Sequence, residues 1–189
     1  MGKFFDQLTP AHRDFIARQK IYFIATAPDS GRVNVSPKGY DSFRVLTPSR
    51  AGYLDLTGSG AETAAHLAQN GRATVMFCAV EGDPLILRLY GRGRSVQPHH
   101  DDWKQLRPLF GPPLAGERQL IIIDIESVQT SCGFGVPFFE YTGSRDTLLD
   151  WSNRKGPEGL ATYRAEKNAN SIDGLPTTLA AAPHPQPAR

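Results

Sequence analysis

The stretch LDLTGSGAETAAHL, residues 54–67, passes from strand-like alternation through two glycines into a helix-like pattern. A helix start leaves backbone N–H groups without partners and carries the positive end of the aligned peptide dipoles, so a phosphate is a natural occupant. Gly58 and Gly60 let the chain come close, and Thr57, Ser59 and Thr63 add hydroxyl donors around the same point. Ser59 followed by Glu62 also has the form of a capping box, and a strand joined to a capped helix by a glycine turn occurs in proteins that bind nothing. The segment alone leaves both readings open.

Working outward, Thr9-Pro10 opens a short first helix running to about Gln19, with Ala11, Phe15 and Ile16 as its apolar stripe. Strand-like runs follow at 21–27, 32–36, 43–47 and 52–57, and again at 73–80, 85–96 and 119–130 beyond the junction helix, which ends near Asn70-Gly71. DDWKQLRPLF, residues 101–110, suits a short helix with Asp101 as its N-cap. Many strands with few helices predict a mainly β protein with peripheral helices, a barrel or sandwich instead of alternating βα units. One domain over residues 1–150 is followed by a polar extension, 151–175, that can carry a helix through 157–167. The proline- and alanine-rich end, 176–189, reads as a disordered tail.

Twenty-one Lys and Arg against 19 Asp and Glu leave a net charge of +2 with no dense basic run, which gives no case for a nucleic-acid partner. Cys78 and Cys132 match neither a redox pair nor a zinc spacing, and no apolar run approaches membrane-spanning length. The expectation is a soluble, cytoplasmic protein with no metal site and no membrane partner. Neither His99-His100 nor Asp101-Asp102 makes a metal site, because adjacent residues point apart.

Three elements in order, RVNVSPKGYDSF at 32–43, YLDLTGSGAETAAHLAQNGRATVMF at 53–77 and LRLYGRGRSV at 87–96, resemble the pyridoxamine 5'-phosphate oxidase family, the flavin-binding split barrels. VQTSCGFGVPFFEY at 128–141 is similar to a segment of a branch whose substrates are unassigned. The resemblance implies a split β-barrel of the FMN-binding type. In that family the Lys-Gly turn runs beside the flavin ring, the strand-to-helix junction cradles the FMN phosphate, and a dimer partner completes the site. It implies an FMN-dependent oxidoreductase acting as a homodimer on an unknown small molecule or electron donor, a nicotinamide among the candidates. The alternative is a non-catalytic module holding flavin, haem or another ring. Two departures matter. Where the oxidase proper has a Ser-Arg-Lys cluster, this chain has Ser59-Gly60-Ala61-Glu62, and TLAAAPHPQPAR holds no counterpart of the oxidase's terminal tryptophan and paired arginines. Vitamin B6 oxidation is therefore not the expected activity.

With no cation in the junction, the phosphate's counter-charge is sought in Lys38, Arg88, Arg92 and Arg94. Lys38, in a Pro-Lys-Gly turn, is the first choice. The three arginines share one face if their strand is regular, and that face equally suits solvent or a subunit interface. Asn34 and Ser36 share a face of their strand that can meet a polar rim, with Val33 and Val35 expected to point into the core. Candidate cofactor contacts are thus Asn34, Ser36, Lys38, Thr57, Gly58, Ser59, Gly60, Thr63, Arg88 and Arg94; no catalytic side chain stands out. His66 reads as a packed or surface residue, Cys132 as part of a turn, and Phe134, Phe138 and Phe139 as able to wall a ring.

Overall fold

Thr9 caps the first helix in a reciprocal arrangement: its hydroxyl accepts from the His12 amide at 3.3 Å while His12 Nδ1 accepts from the Thr9 amide at 3.2 Å. Pro10 then sets the first turn of α1 (Pro10–Arg18), which buries His12, Phe15 and Ile16. The computed structural model describes residues 2–179. After a short strand β1 (Lys3–Phe5), which sequence patterning did not reveal, the barrel strands are β2 (Tyr22–Thr26), β3 (Asn34–Lys38), β4 (Phe43–Thr47), β5 (Arg50–Leu56), β6 (Arg72–Cys78), β7 (Ile86–Val96) and β8 (Glu117–Ser131). All pair antiparallel in the order β3-β2-β6-β7-β8-β5-β4, with β1 on β8. This is a split β-barrel.

Helix α2 (Glu62–Gln69) leaves the end of β5 and packs His66 and Leu67 against the barrel. The core shows why β8 carries an unbroken apolar run. Ile121, Ile123 and Ile125 face inward with Tyr22, Tyr53, Phe77, Leu87 and Leu89. Leu120 and Ile122, on the opposite side of the same strand, lie under Phe110 and Trp103 from the short helix α3 (Trp103–Leu106) and the 3₁₀ turn that follows it. Both faces are covered, so alternation disappears. Asp102 stands at the N-cap of α3, not Asp101, and no side chain caps it.

Helix α4 (Thr147–Lys167) is two pieces joined at Gly156, whose φ of 64° breaks the helical path before Pro157 starts the second piece. Its N-terminus lies just before residue 150, and the segment after it folds back over the junction. Of the tail read as disordered, residues 180–189 lie outside the described residues. Residues 176–179 are held: Pro176 bridges to Asn170, and Leu179, 2% exposed, packs on Ala61 and Ala64.

One expectation is reversed. Val33 and Val35 are 70% and 59% exposed, while Asn34 and Ser36 are the half-buried pair. β3 is an edge strand, and its inner face meets Thr26 and Thr63 instead of the apolar core, so the polar residues turn inward to bond there. A two-residue period tells which side chains share a face, not which face is inside.

Candidate functional site

The junction between β5 and α2 is held by groups far away in the chain. Arg118 on β8 donates through Nη2 to the Gly60 carbonyl at 2.8 Å and through Nη1 to that of Gly58 at 3.5 Å. Asn168, fully buried just past α4, donates to the carbonyls of Gly58 at 3.0 Å and Ser59 at 3.5 Å, and its own Oδ1 accepts from Arg118 at 3.1 Å. In a trans peptide the N–H points opposite to the preceding C=O, so the amides of Ser59 and Gly60 face away from Arg118 and Asn168. The Ser59–Glu62 capping box does not form. Ala61 is the N-cap and offers no side-chain acceptor, while Glu62 Oε2 accepts from the Ala61 amide at 3.0 Å. The first turn of α2 thus keeps its dipole end free of a hydroxyl cap.

Beside the junction lies a cleft of about 360 Å³ whose lining includes Ser36, Lys38, Asp55, Gly58, Ser59, Glu62, Thr63 and Arg118, but not Asn168. At its base Asp55, 3% exposed, accepts from Lys38 Nζ at 2.9 Å, Arg118 Nε at 2.7 Å and Gln119 Nε2 at 2.7 Å. Burial by itself would raise this carboxyl, but the two cations and the hydrogen bonds outweigh it and hold Asp55 well below the ordinary carboxylate range. Lys38 Nζ also sits 5.5 Å from the ring centre of buried Tyr53, whose phenol burial and Asp55 push upward.

The polar side of the cleft is a chain of bonds: Ser36 Oγ donates to Asn34 Oδ1 at 3.1 Å, and Asn34 Nδ2 donates to Thr63 Oγ1 at 3.2 Å and Thr26 Oγ1 at 3.4 Å. Thr26 in turn meets His66 Nδ1 at 3.0 Å, and His66 Nε2 is buried with no partner among the described residues. A second, larger groove of about 900 Å³ adjoins the first through the shared turn Pro37–Tyr40 and is closed by residues 139–145. Tyr40 holds that closing segment by donating to the Arg145 carbonyl at 2.6 Å. Tyr40 and Asp41 carry φ of 61° and 50°, so the shared turn is strained for side-chain-bearing residues.

Of the residues expected from sequence, Asn34, Ser36, Lys38, Gly58, Ser59, Gly60 and Thr63 come together around one cleft. Thr57 is fully buried and turned away: its hydroxyl accepts from Arg164 at 3.1 Å. Arg88, Arg92 and Arg94 do share the outer face of β7, but Arg88 bonds Ser131, Arg92 pairs with Glu126, and Arg94 pairs with Asp102, none of which lines the cleft. The cations actually at the junction are Arg118 and Arg164, and sequence reading named neither. Arg164 is half-buried with no carboxylate partner among the described residues; desolvation and then the neighbouring Arg118 push its pKa down. Local spacing carries no sign of either, since they lie about 60 and 107 positions beyond the glycines and Thr57.

A family model described as pyridoxamine 5'-phosphate oxidase matches residues 8–132. The chain belongs to the pyridoxamine 5'-phosphate oxidase family. Within it, the pyridoxamine 5'-phosphate oxidase family protein ustO of Aspergillus flavus is 39% identical over 195 residues, 93% of this chain and 78% of the relative. Two solved structures share the barrel: HupZ of Group A Streptococcus, with 22% identity and a TM-score of 0.50 over 64% of this chain and 91% of that one, and a provisional pyridoxamine 5'-phosphate oxidase of Lactobacillus delbrueckii, with 21% identity and 0.51 over 66% and 94%. At those identities they show the fold alone. The oxidase-family barrel commonly binds flavin. The donor set fits such a ligand's phosphate, because the Ser59 and Gly60 amides point away from their tied carbonyls, the helix start has no side-chain cap, and Ser59, Thr63 and Lys38 line the same cleft. Among the described residues no cluster of three His, Cys, Asp or Glu could hold a metal, and no helix is long and apolar enough to cross a membrane.

Proposed function

We propose that this chain is an FMN-binding flavoprotein oxidoreductase acting on a small molecule, and that it works as a homodimer. The observation that carries the reading is the junction whose Gly58 and Ser59 carbonyls are tied by buried Asn168, so that the Ser59 and Gly60 amides point away from it beside a helix start with no side-chain cap. That arrangement suits the terminal phosphate of FMN, which riboflavin lacks. When bound, FMN supplies the hydride or electron transfer itself. The chain's part is to bind and orient. Lys38 stands at the turn common to both cavities, where its charge favours an anionic ligand, and Asp55 keeps it in place. The larger groove, with Tyr40 and Tyr141 as walls and the basic Arg18, Lys20 and Arg145 at its rim, offers the donor a place.

The outer sheet face supports the dimer. Cross-strand rows Val35, Ala25, Thr74, Tyr90 and Pro37, Phe23, Met76, Arg88 run over β3, β2, β6 and β7, with Val35 and Pro37 exposed and the other six half-buried. A partly exposed face that mixes apolar residues with a few polar ones suits a two-fold contact with a second copy.

A non-catalytic holder of flavin, haem or another ring is the second reading, favoured by the mutual lock of Lys38 and Asp55, which leaves neither as a free acid or base. Absorbance titration of the purified protein with FMN, riboflavin and haemin, followed by anaerobic mixing of the FMN-loaded protein with NADH or NADPH, separates the readings. FMN taken up at least tenfold tighter than riboflavin and bleached by a nicotinamide supports the oxidoreductase; equal affinity for riboflavin overturns the phosphate assignment.

A further inference from the structure

The family-matched barrel ends at residue 132, yet the junction is finished by a segment well beyond it. From Asn168 to Leu179 the chain forms a strap across the back of α2. Asn168 is fully buried, its carbonyl accepts from the Thr177 hydroxyl, and the Thr177 amide returns to the Ala169 carbonyl at 2.9 Å, so a tight loop grips the asparagine. Four more ties fasten the strap. The Ile172 amide donates to Glu62 Oε1 at 3.3 Å, Asp173 accepts from Arg32, Thr178 Oγ1 accepts from Gln97 Nε2 at 2.5 Å, and Leu179 packs on Ala61 and Ala64.

We infer that this strap is a working part of the phosphate cradle, with Asn168 as its positioning residue. Asn168 is fully buried and does not line the cleft. Its amide takes up the Gly58 and Ser59 carbonyls, which turns the Ser59 and Gly60 amides away from it, and its oxygen fixes the Arg118 guanidinium that holds Gly60. A glycine loop without that grip samples both peptide orientations, because Gly58 and Gly60 have no Cβ to choose for them. The asparagine therefore decides the polarity that the loop presents to an anion. The coupling is reciprocal: a phosphate held at the loop must tighten the strap.

The inference rests on the proposed phosphate site, and the test separates the two. In the full chain, affinities for FMN and riboflavin are measured for wild type and Asn168→Ala, with thermal melts as a check on folding. The expected result is a loss of at least tenfold for FMN with riboflavin changed less than threefold, a split that general loosening would not produce. Amide exchange on the unaltered protein supplies the second readout: FMN, and not riboflavin, should slow exchange across residues 168–179. A wild type without preference for FMN overturns the phosphate reading and the inference with it. A preference retained in Asn168→Ala, an equal loss of both ligands, or a strap indifferent to FMN overturns the inference alone.

Discussion

Asp55 is the residue on which the cleft's electrostatics turn, since it is the one carboxylate shared by Lys38 and Arg118. Replacing it with asparagine leaves Arg118, 6% exposed at the side chain, without its counter-charge. Breaking a buried pair in this way costs about 3–5 kcal/mol, and for a chain of this size the melting temperature should fall by about 10 °C. Calorimetry on Asp55→Asn checks it, and a change of a degree or two would show that the cluster contributes little. The pH dependence has a defined sign. The folded carboxyl titrates below the unfolded value of about 3.9, so its stabilisation is complete above that value and is lost as the pH falls through the lower range. His66 acts earlier on the same descent. Burial lowers its pKa from the unfolded value of about 6.5, so below that point the unfolded chain binds the extra proton and stability declines. In His66→Gln the difference in urea midpoint between pH 7.5 and pH 5.5 should shrink; an unchanged difference would place the acid sensitivity elsewhere.

At the scale of elements, the junction and the β7–β8 pair make separable predictions. Ser59 lines the cleft, whereas Thr57 does not and its hydroxyl accepts from Arg164. Ser59→Ala should therefore weaken FMN by about tenfold to a hundredfold, the value of one hydrogen bond to a charged group of about 1.5–3 kcal/mol, while Thr57→Val should lower the melting temperature and leave the ratio of FMN to riboflavin affinity unchanged. Equal effects from both would mean that the phosphate approaches from the other side. On β7, register shifts between Tyr90 and Gly91, where Glu126 of β8 is the extra residue. A Cβ on Gly91 would lie 2.0 Å from the Asp124 carbonyl oxygen, so Gly91→Ala must push the two central strands apart. A destabilisation of about 3 kcal/mol in urea unfolding is expected, at the upper end for overpacking. Glycine inside a strand pattern marks a bulge or a close backbone approach, but the carbonyl that excludes a side chain here belongs to a strand more than 30 positions away.

For the whole molecule, light scattering at micromolar concentration should report twice the 20.7 kDa chain, and a monomer that binds FMN tightly would remove the second copy from the proposal. Turnover of pyridoxamine 5'-phosphate by the FMN-loaded protein should stay below about 1 per second, a tenth of the median enzyme rate. Lys155 stacks over Trp151 and Tyr163 on α4, away from both cavities, and Arg18, Lys20 and Arg145 around the larger groove are solvent-exposed, where a single ion pair is worth about 1 kcal/mol or less. Turnover near 10 per second would refute this. The sequence by itself determined the local grammar: the Thr9-Pro10 helix start, seven of the eight strands, the glycine junction, and the family order that implies a split barrel. Each is written in neighbouring residues, as a period, a cap or a turn. Tertiary structure alone decided which face of β3 looks inward, that Thr57 turns from the cleft, and that Arg118, Arg164 and Asn168 close the junction. Those contacts join residues about 60 to 110 positions apart, where burial and unpaired backbone carbonyls choose the partner and no local pattern records the choice.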